Sequence, residues 1–367
     1  MFDVSYHLSN GLGIEEKTRE DFVRKALQAA LSAAILIVGG AGGAVAQDKI
    51  VLKYATFVPA NHVLAVNRTA PFMEEVKRLS NGRVDFEYYP NEQAGKARSF
   101  IDLLNTGAVD IAEIGIGYFS ATTLPLLGII EFPGLTDSSC QTSAALRSIG
   151  MPGGPLHEAD FKENGIRALD FMVNPPFQIA PSRVPITSVA QVTGKKLRTA
   201  GGVMELAVKG LGGIPVSITA SEIYTALDRG TLDGVMFTWI LADTYDFPKI
   251  AKYGTYGFGF GTPGQFVMIG ENTFQKLPKD VQDILVQAGA TVEKQICKYL
   301  DDNETKMVEK YKTAGQNIHF WNAQEKEQML KATKDLPKLW MDTLEARGKP
   351  AKAVWDGFNA SLGKKTQ

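Results

Sequence analysis

The chain has 367 residues, 44% hydrophobic and 22% charged, the composition of a globular protein long enough for two domains. Its formal net charge of -1 excludes a bulk basic field for nucleic acid or an anionic membrane surface, so partners must be read from local features.

Arg24 and Lys25 precede an apolar run from Ala26 to Val38, then a glycine-rich stretch and Ala44-Val45-Ala46. A basic start, a short apolar core and a small-x-small site predict a secretory signal cut after Ala46, with an uncleaved anchor as the alternative. The run is short for a membrane span. Residues 1–46 are therefore set apart from the fold, and the mature chain is expected to be exported to an oxidising compartment. The acidic stretch of Glu15, Glu16, Glu20 and Asp21 is foreign to such a signal and points to a later start, at Val23. Without 1–46 the chain carries 35 basic and 35 acidic residues. Two cysteines, Cys140 and Cys297, remain. Their spacing does not decide whether they pair, and isolated thiols are the default expectation.

Ile50 to Phe57 alternates apolar and polar positions and predicts a strand; His62 to Ser80 predicts a helix carrying Pro71. A strand over Arg83–Tyr89, a helix over Arg98–Thr106 stopped by Gly107, and a strand over Asp110–Ile114 follow. This alternation is the grammar of a parallel sheet with crossover helices. Gly115 to Gly154 is apolar but broken by proline, and predicts a buried irregular loop with short helices. After a strand over Arg167–Val173, Pro175-Pro176 marks a crossing into a second domain.

That domain repeats the logic. Short strands are expected at Phe177–Ala180 and Lys196–Arg198, a helix at Val203–Leu211, and a strand at Ile214–Ile218. Thr219 with Glu222 forms a capping box for a helix to Arg229, and Asp233–Phe237 is a further strand. Gly259, Gly261 and Gly264 have GxGxxG spacing, but a strand follows instead of a helix, which argues against nucleotide binding. Asp280 to Ala314 predicts an unusually long helix that links both units. A strand over Asn317–Trp321 and one long amphipathic helix over Ala323–Arg347 end the pattern.

Catalytic and metal signatures are missing. His62, His157 and His319 have no partner at ligand spacing, and no GxSxG, HExxH or Walker loop occurs. The most informative side chain is Arg198, at the end of a short strand before the turn Thr199–Gly202. Strand ends face the crevice where α/β sheets bind ligands, and a guanidinium there suits a carboxylate. Spacing alone leaves a surface ion pair equally open.

Several motifs in fixed order resemble the DctP-type periplasmic solute-binding proteins of tripartite ATP-independent periplasmic (TRAP) transporters. They are Gly82-Arg83-Val84 before a strand ending in Tyr89-Pro90, Gln93-Ala94-Gly95, Gly107 to Asp110, Gly194-Lys-Lys-Leu-Arg198, Tyr224 to Gly234, and Leu277-Pro278. The resemblance implies an α/β fold of two lobes closing on a ligand, with a long helix between them and no cofactor. One lobe would hold 48–173 and 264–303, the other 174–263 and 304–367. It implies that Arg198 anchors the carboxylate of a small organic acid delivered to TRAP membrane permease subunits, without catalysis. A binding protein for an ATP-driven importer is the alternative, and a secreted enzyme the more distant one.

The chain also departs from the family pattern. Where many members have a second arginine, Gln178 follows Phe177, and Val235 to Trp239 is apolar and aromatic. These changes favour a monocarboxylate with a hydrophobic body, such as a 2-oxo, aromatic or branched acid, contacted by Gln178, Phe237 and Trp239. Asn61 and Tyr118, beyond strand ends of the first lobe, are the expected contributors from the other side. No metal is predicted.

Overall fold

The computed structural model describes Arg24 and residues 48–364; the expected signal, apart from Arg24, and its cleavage site lie outside the described residues. Among the described residues no helix is long and apolar enough to cross a membrane.

Alternating side chains set the first strand: Leu52 and Tyr54 are buried whereas Val51 and Lys53 face solvent. The chain lays down β1 (Ile50–Ala55), β2 (Val84–Tyr89), β3 (Ile111–Gly115) and β4 (Ile166–Ala168). It then crosses to β5 (Gln178–Ser182), β6 (Lys196–Thr199), β7 (Ile214–Ser217), β8 (Gly234–Phe237) and β9 (Tyr253–Tyr256). It returns as β10 (Gln265–Gly270) and crosses again to β11 (Asn317–Phe320). Two sheets result, ordered β2-β1-β3-β10-β4 and β11-β9-β5-β8-β6-β7. β1 is parallel to β2 and β3, and β6 to β7 and β8, as crossover helices require. The strands arriving from the other half, β10 and β5, run antiparallel to their neighbours.

The 35-residue helix Lys279–Thr313 joins the halves. Its Leu285, Ala288 and Val292 enter a core with β1 and β10, and its Ile296 and Leu300 enter the core of the second sheet. Asp301 and Glu304, one turn apart, each cap a helix of a different half. Asp301 accepts from the amides of Ser139 at 2.6 Å and Cys140 at 3.2 Å; Glu304 accepts from Trp239 and Ile240 at 2.8 and 2.9 Å. Cys140 and Cys297 form a disulfide, Cα atoms 4.8 Å apart, which ties the helix Ser139–Gly150 to the long helix. Isolated thiols, the default expectation, are thereby corrected.

Three further differences have local causes. The helix after His62 contains a π-turn over Ala65–Thr69, immediately before Pro71, which has no amide hydrogen to donate back. The single helix expected over Ala323–Arg347 is two, Ala323–Thr333 and Leu336–Glu345, with Pro337 in the first turn of the second. A last helix, Ala351–Ser361, has no counterpart in the expected pattern. The last two helices also pack on the first half: Trp340, Leu344, Val354 and Phe358 share a core with Leu126 and Leu146. The end of the segment 304–367, expected in the second lobe, thus packs against the buried segment Pro125–Glu131 of the first half, which offers it an apolar seat.

Candidate functional site

β6 places Leu197 in the core and turns Arg198 toward a cavity between the halves. Arg198 is 2% exposed, and its Nε donates to the Ile218 carbonyl at 3.0 Å. Its guanidinium lies over the Phe237 ring, 5.5 Å from the centroid. Among the described residues no carboxylate reaches it. Burial accordingly pulls its pKa below the ordinary value, an effect the Tyr118 and Tyr245 hydroxyls only partly offset. A buried, unpaired cation is unfavourable, and the arrangement becomes balanced when an anion enters.

Apolar and aromatic groups form the walls. Phe177 stacks on Phe237 at 6.0 Å with an interplanar angle of 13°, and Leu241 and Tyr245 close the second half's side. The first half supplies Phe57, His62 and the segment Gly115–Tyr118, and the crossing strand supplies Gln265. Arg198 is the one Arg or Lys among the lining residues. The cavity volume is about 40 Å³.

The halves touch around this cavity. Tyr118 Oη accepts from the Ala220 amide at 3.1 Å. Glu131, from the first half, accepts from Ser120 Oγ at 2.8 Å and from the Val203 amide at 2.7 Å, at the start of the helix Val203–Gly210. Glycines permit the approach. A Cβ on Gly117 would stand 2.5 Å from Ala200 Cβ, and one on Gly201, at φ +128°, 2.5 Å from the Gly117 carbonyl oxygen.

Of the residues singled out in the sequence, Arg198, Phe237 and Tyr118 line this cavity and Gln178, Trp239 and Asn61 do not. Gln178 lies on the other side of the crossing, in a groove with Asp137, Tyr256 and Glu304, and its Nε2 donates to Pro176 O at 3.3 Å. The cause is parity: neighbouring residues of an extended segment point to opposite faces, so Phe177 reaches the cavity and Gln178 cannot. Trp239 is fully buried, donating Nε1 to Thr255 O at 3.1 Å and packing on Tyr311. Asn61 is exposed, and the next residue, His62, supplies that loop's contact. His62, Tyr245 and Gln265 were missed. His62 stands in the sequence without a partner at ligand spacing, Gln265 begins a strand otherwise apolar up to Gly270, and Tyr245 lies in a stretch without periodicity.

Two lobes joined by a long helix, with a buried cation in a cavity between them at strand ends, define the class of two-lobed solute receptors. The chain belongs to the bacterial extracellular solute-binding protein family 7, DctP, whose model matches residues 54–342, and is a TRAP-type extracytoplasmic solute receptor. A solute-binding protein of Albidiferax ferrireducens is 27% identical over 254 residues, 67% of this chain and 72% of that one. The C4-dicarboxylate-binding periplasmic protein DctP of Rhodobacter capsulatus is 26% identical over 256 residues, 66% and 72% of the two chains. Among solved structures, a marine metagenome TRAP solute binding protein specific for aromatic acid ligands, in complex with 3-hydroxybenzoate, gives a TM-score of 0.79 at 24% identity. It covers 87% of this chain and 100% of its own. One from Rhodoferax ferrireducens with copurified benzoate gives 0.77 at 21% identity, covering 86% and 98%. These structures share the fold.

Proposed function

We propose that this receptor captures a small monocarboxylate with a flat apolar body between its lobes and hands it to TRAP membrane permease subunits. The observation that carries the reading is Arg198: a buried guanidinium with no carboxylate partner among the described residues, set against aromatic walls. A ligand carboxylate supplies the missing charge through paired, charge-assisted hydrogen bonds. Phe57, Phe177 and Phe237 suit a ring or branched body, in keeping with the aromatic acids bound by structural neighbours. A C4-dicarboxylate, the ligand named for the Rhodobacter relative, fits less well, since among the described residues Arg198 is the one Arg or Lys lining the cavity and a second charge would go unmet.

A thermal-shift and calorimetric panel of mono- and dicarboxylates tests this. A ligand at a hundred times its dissociation constant adds about 2.7 kcal/mol of stability. Aromatic monocarboxylates should shift the melt while succinate and malate leave it in place, and Arg198→Ala should weaken the best ligand at least about 100-fold. Tight succinate binding, or an unaffected Arg198→Ala variant, would refute the assignment.

A further inference from the structure

Two of the residues that line the cavity each carry a buried polar atom with no partner among the described residues, and the two atoms are of opposite kinds. His62 is 1% exposed, and its Nδ1 accepts the Leu64 amide at 3.1 Å. Burial lowers its pKa to about 3, so the ring is neutral at working pH and its single proton sits on Nε2. That N–H donor has no partner among the described residues. Gln265 is 9% exposed, and its Oε1, an acceptor, is equally unpartnered.

The His62 ring and the Gln265 main chain are both held in place. The His62 ring packs against Tyr245, centroids 5.3 Å apart. The Gln265 main chain is fixed at both ends: its amide donates to Met172 O at 3.0 Å, and its carbonyl accepts Arg68 Nη2 at 2.9 Å. Arg68 is itself clamped by Asp170 at 2.7 and 2.9 Å. A buried donor or acceptor left unmade costs free energy, so a ligand that completes both gains over one that completes neither.

The chemistry of the missing group follows from the inventory of donors and acceptors. A carboxylate only accepts, an ammonium only donates, and a bare ring does neither. A hydroxyl does both. We infer that the ligand is a hydroxy-substituted monocarboxylic acid, with its carboxylate on Arg198 and its hydroxyl accepting from His62 Nε2 and donating to Gln265 Oε1. The inference rests on the monocarboxylate reading and adds the second polar group.

The test pairs each hydroxy acid with its deoxy counterpart: 3-hydroxybenzoate, 4-hydroxybenzoate and salicylate against benzoate, and both mandelate enantiomers against phenylacetate. Calorimetry on the mature wild-type receptor should find at least one hydroxy acid bound at least about tenfold more tightly than its counterpart. In His62→Phe/Gln265→Met the ratio should fall to within about threefold, through loss of hydroxy-acid affinity and not through a change in deoxy-acid affinity. His62→Gln, which keeps a donor, should retain part of the preference and serves where the double variant does not fold. Equal binding of every pair by wild type, as when a trapped water completes both atoms, overturns the inference while leaving the Arg198 reading intact. A preference that survives in the double variant, or in Gln265→Met where that variant does not fold, also overturns it. If no acid of either series binds, the monocarboxylate reading fails and takes the inference with it.

Discussion

Two fully buried arginines, Arg68 and Arg198, differ in one respect that separates their roles. Arg68 meets Asp170 through two hydrogen bonds and lies 3.5 Å from Glu113, whereas Arg198 has one bond to a carbonyl and no carboxylate among the described residues. Their substitutions should therefore act on different observables. Arg68→Met leaves the Asp170 charge uncompensated and should cost about 3–5 kcal/mol of unfolding free energy, measured by urea denaturation. Arg198→Met removes an uncompensated charge and should leave the ligand-free protein at least as stable, while binding is lost. A large destabilisation by Arg198→Met would contradict the unpaired state. The strand end and the glycine turn were enough to set Arg198 beside a crevice, but spacing left a surface ion pair equally open, and it is the family resemblance that implies a carboxylate anchor there. The places of Gln178 and Asn61 were not legible, because a shift of one residue reverses the face of a strand or the aim of a loop, and motif spacing does not resolve one residue.

Among the helices, carboxylates from distant parts of the chain take up the amides of starting turns. Glu131 does so for Val203–Gly210, Glu304 for Trp239–Thr244 and Asp301 for Ser139–Gly150. Two of these sites are dry enough to matter for pH. Burial raises the pKa of both Glu131 and Glu304 to about 7, against their helix amides, and that of Asp160 to about 7 as well. A carboxyl raised in the folded state binds its proton more tightly there than in the unfolded chain. Its contribution to stability is present below the unfolded value near 4–4.5 and is lost as pH rises through about 7. The melting temperature should accordingly fall between pH 5 and pH 8, and Glu131→Gln should flatten that slope. A slope unchanged in Glu131→Gln would show that Glu131 does not titrate in this window. The capping box of Thr219 and Glu222 was readable because both partners are local in sequence. Glu131, Asp301 and Glu304 were not, because a cap supplied across 72, 162 or 65 residues leaves no pattern in the helix it serves. The division of the helix expected over Ala323–Arg347 falls at Pro337, a signal local in sequence that amphipathic periodicity does not register.

For the molecule as a whole, the alternation of strands and helices foretold two α/β halves and the long helix between them. It did not foretell that the chain's end returns to the first half, since an amphipathic helix records only that one face is covered and not by what. The disulfide was likewise beyond reach, as two cysteines 157 residues apart become neighbours only once the helix Ser139–Gly150 and the long helix pack together. In the proposed capture the halves part and meet again, and Gly117 lies where they touch: a Cβ there would stand 2.5 Å from Ala200 Cβ, and one on Gly201 2.5 Å from the Gly117 carbonyl oxygen. This makes Gly117 a doorstop position: the absence of a side chain sets how far the door swings shut. A valine there should act as a wedge, holding the lobes ajar by the width of its methyl groups while leaving each lobe's own core untouched. Small-angle scattering of Gly117→Val with saturating ligand should then retain the larger radius of the ligand-free protein, with weakened affinity and a nearly unchanged melt. Full compaction would mean that the gap closes elsewhere. A receptor arrested in this way would carry its cargo in an unlatched shape and, under the proposed delivery to a permease, would separate recognition of the solute from recognition of the transporter.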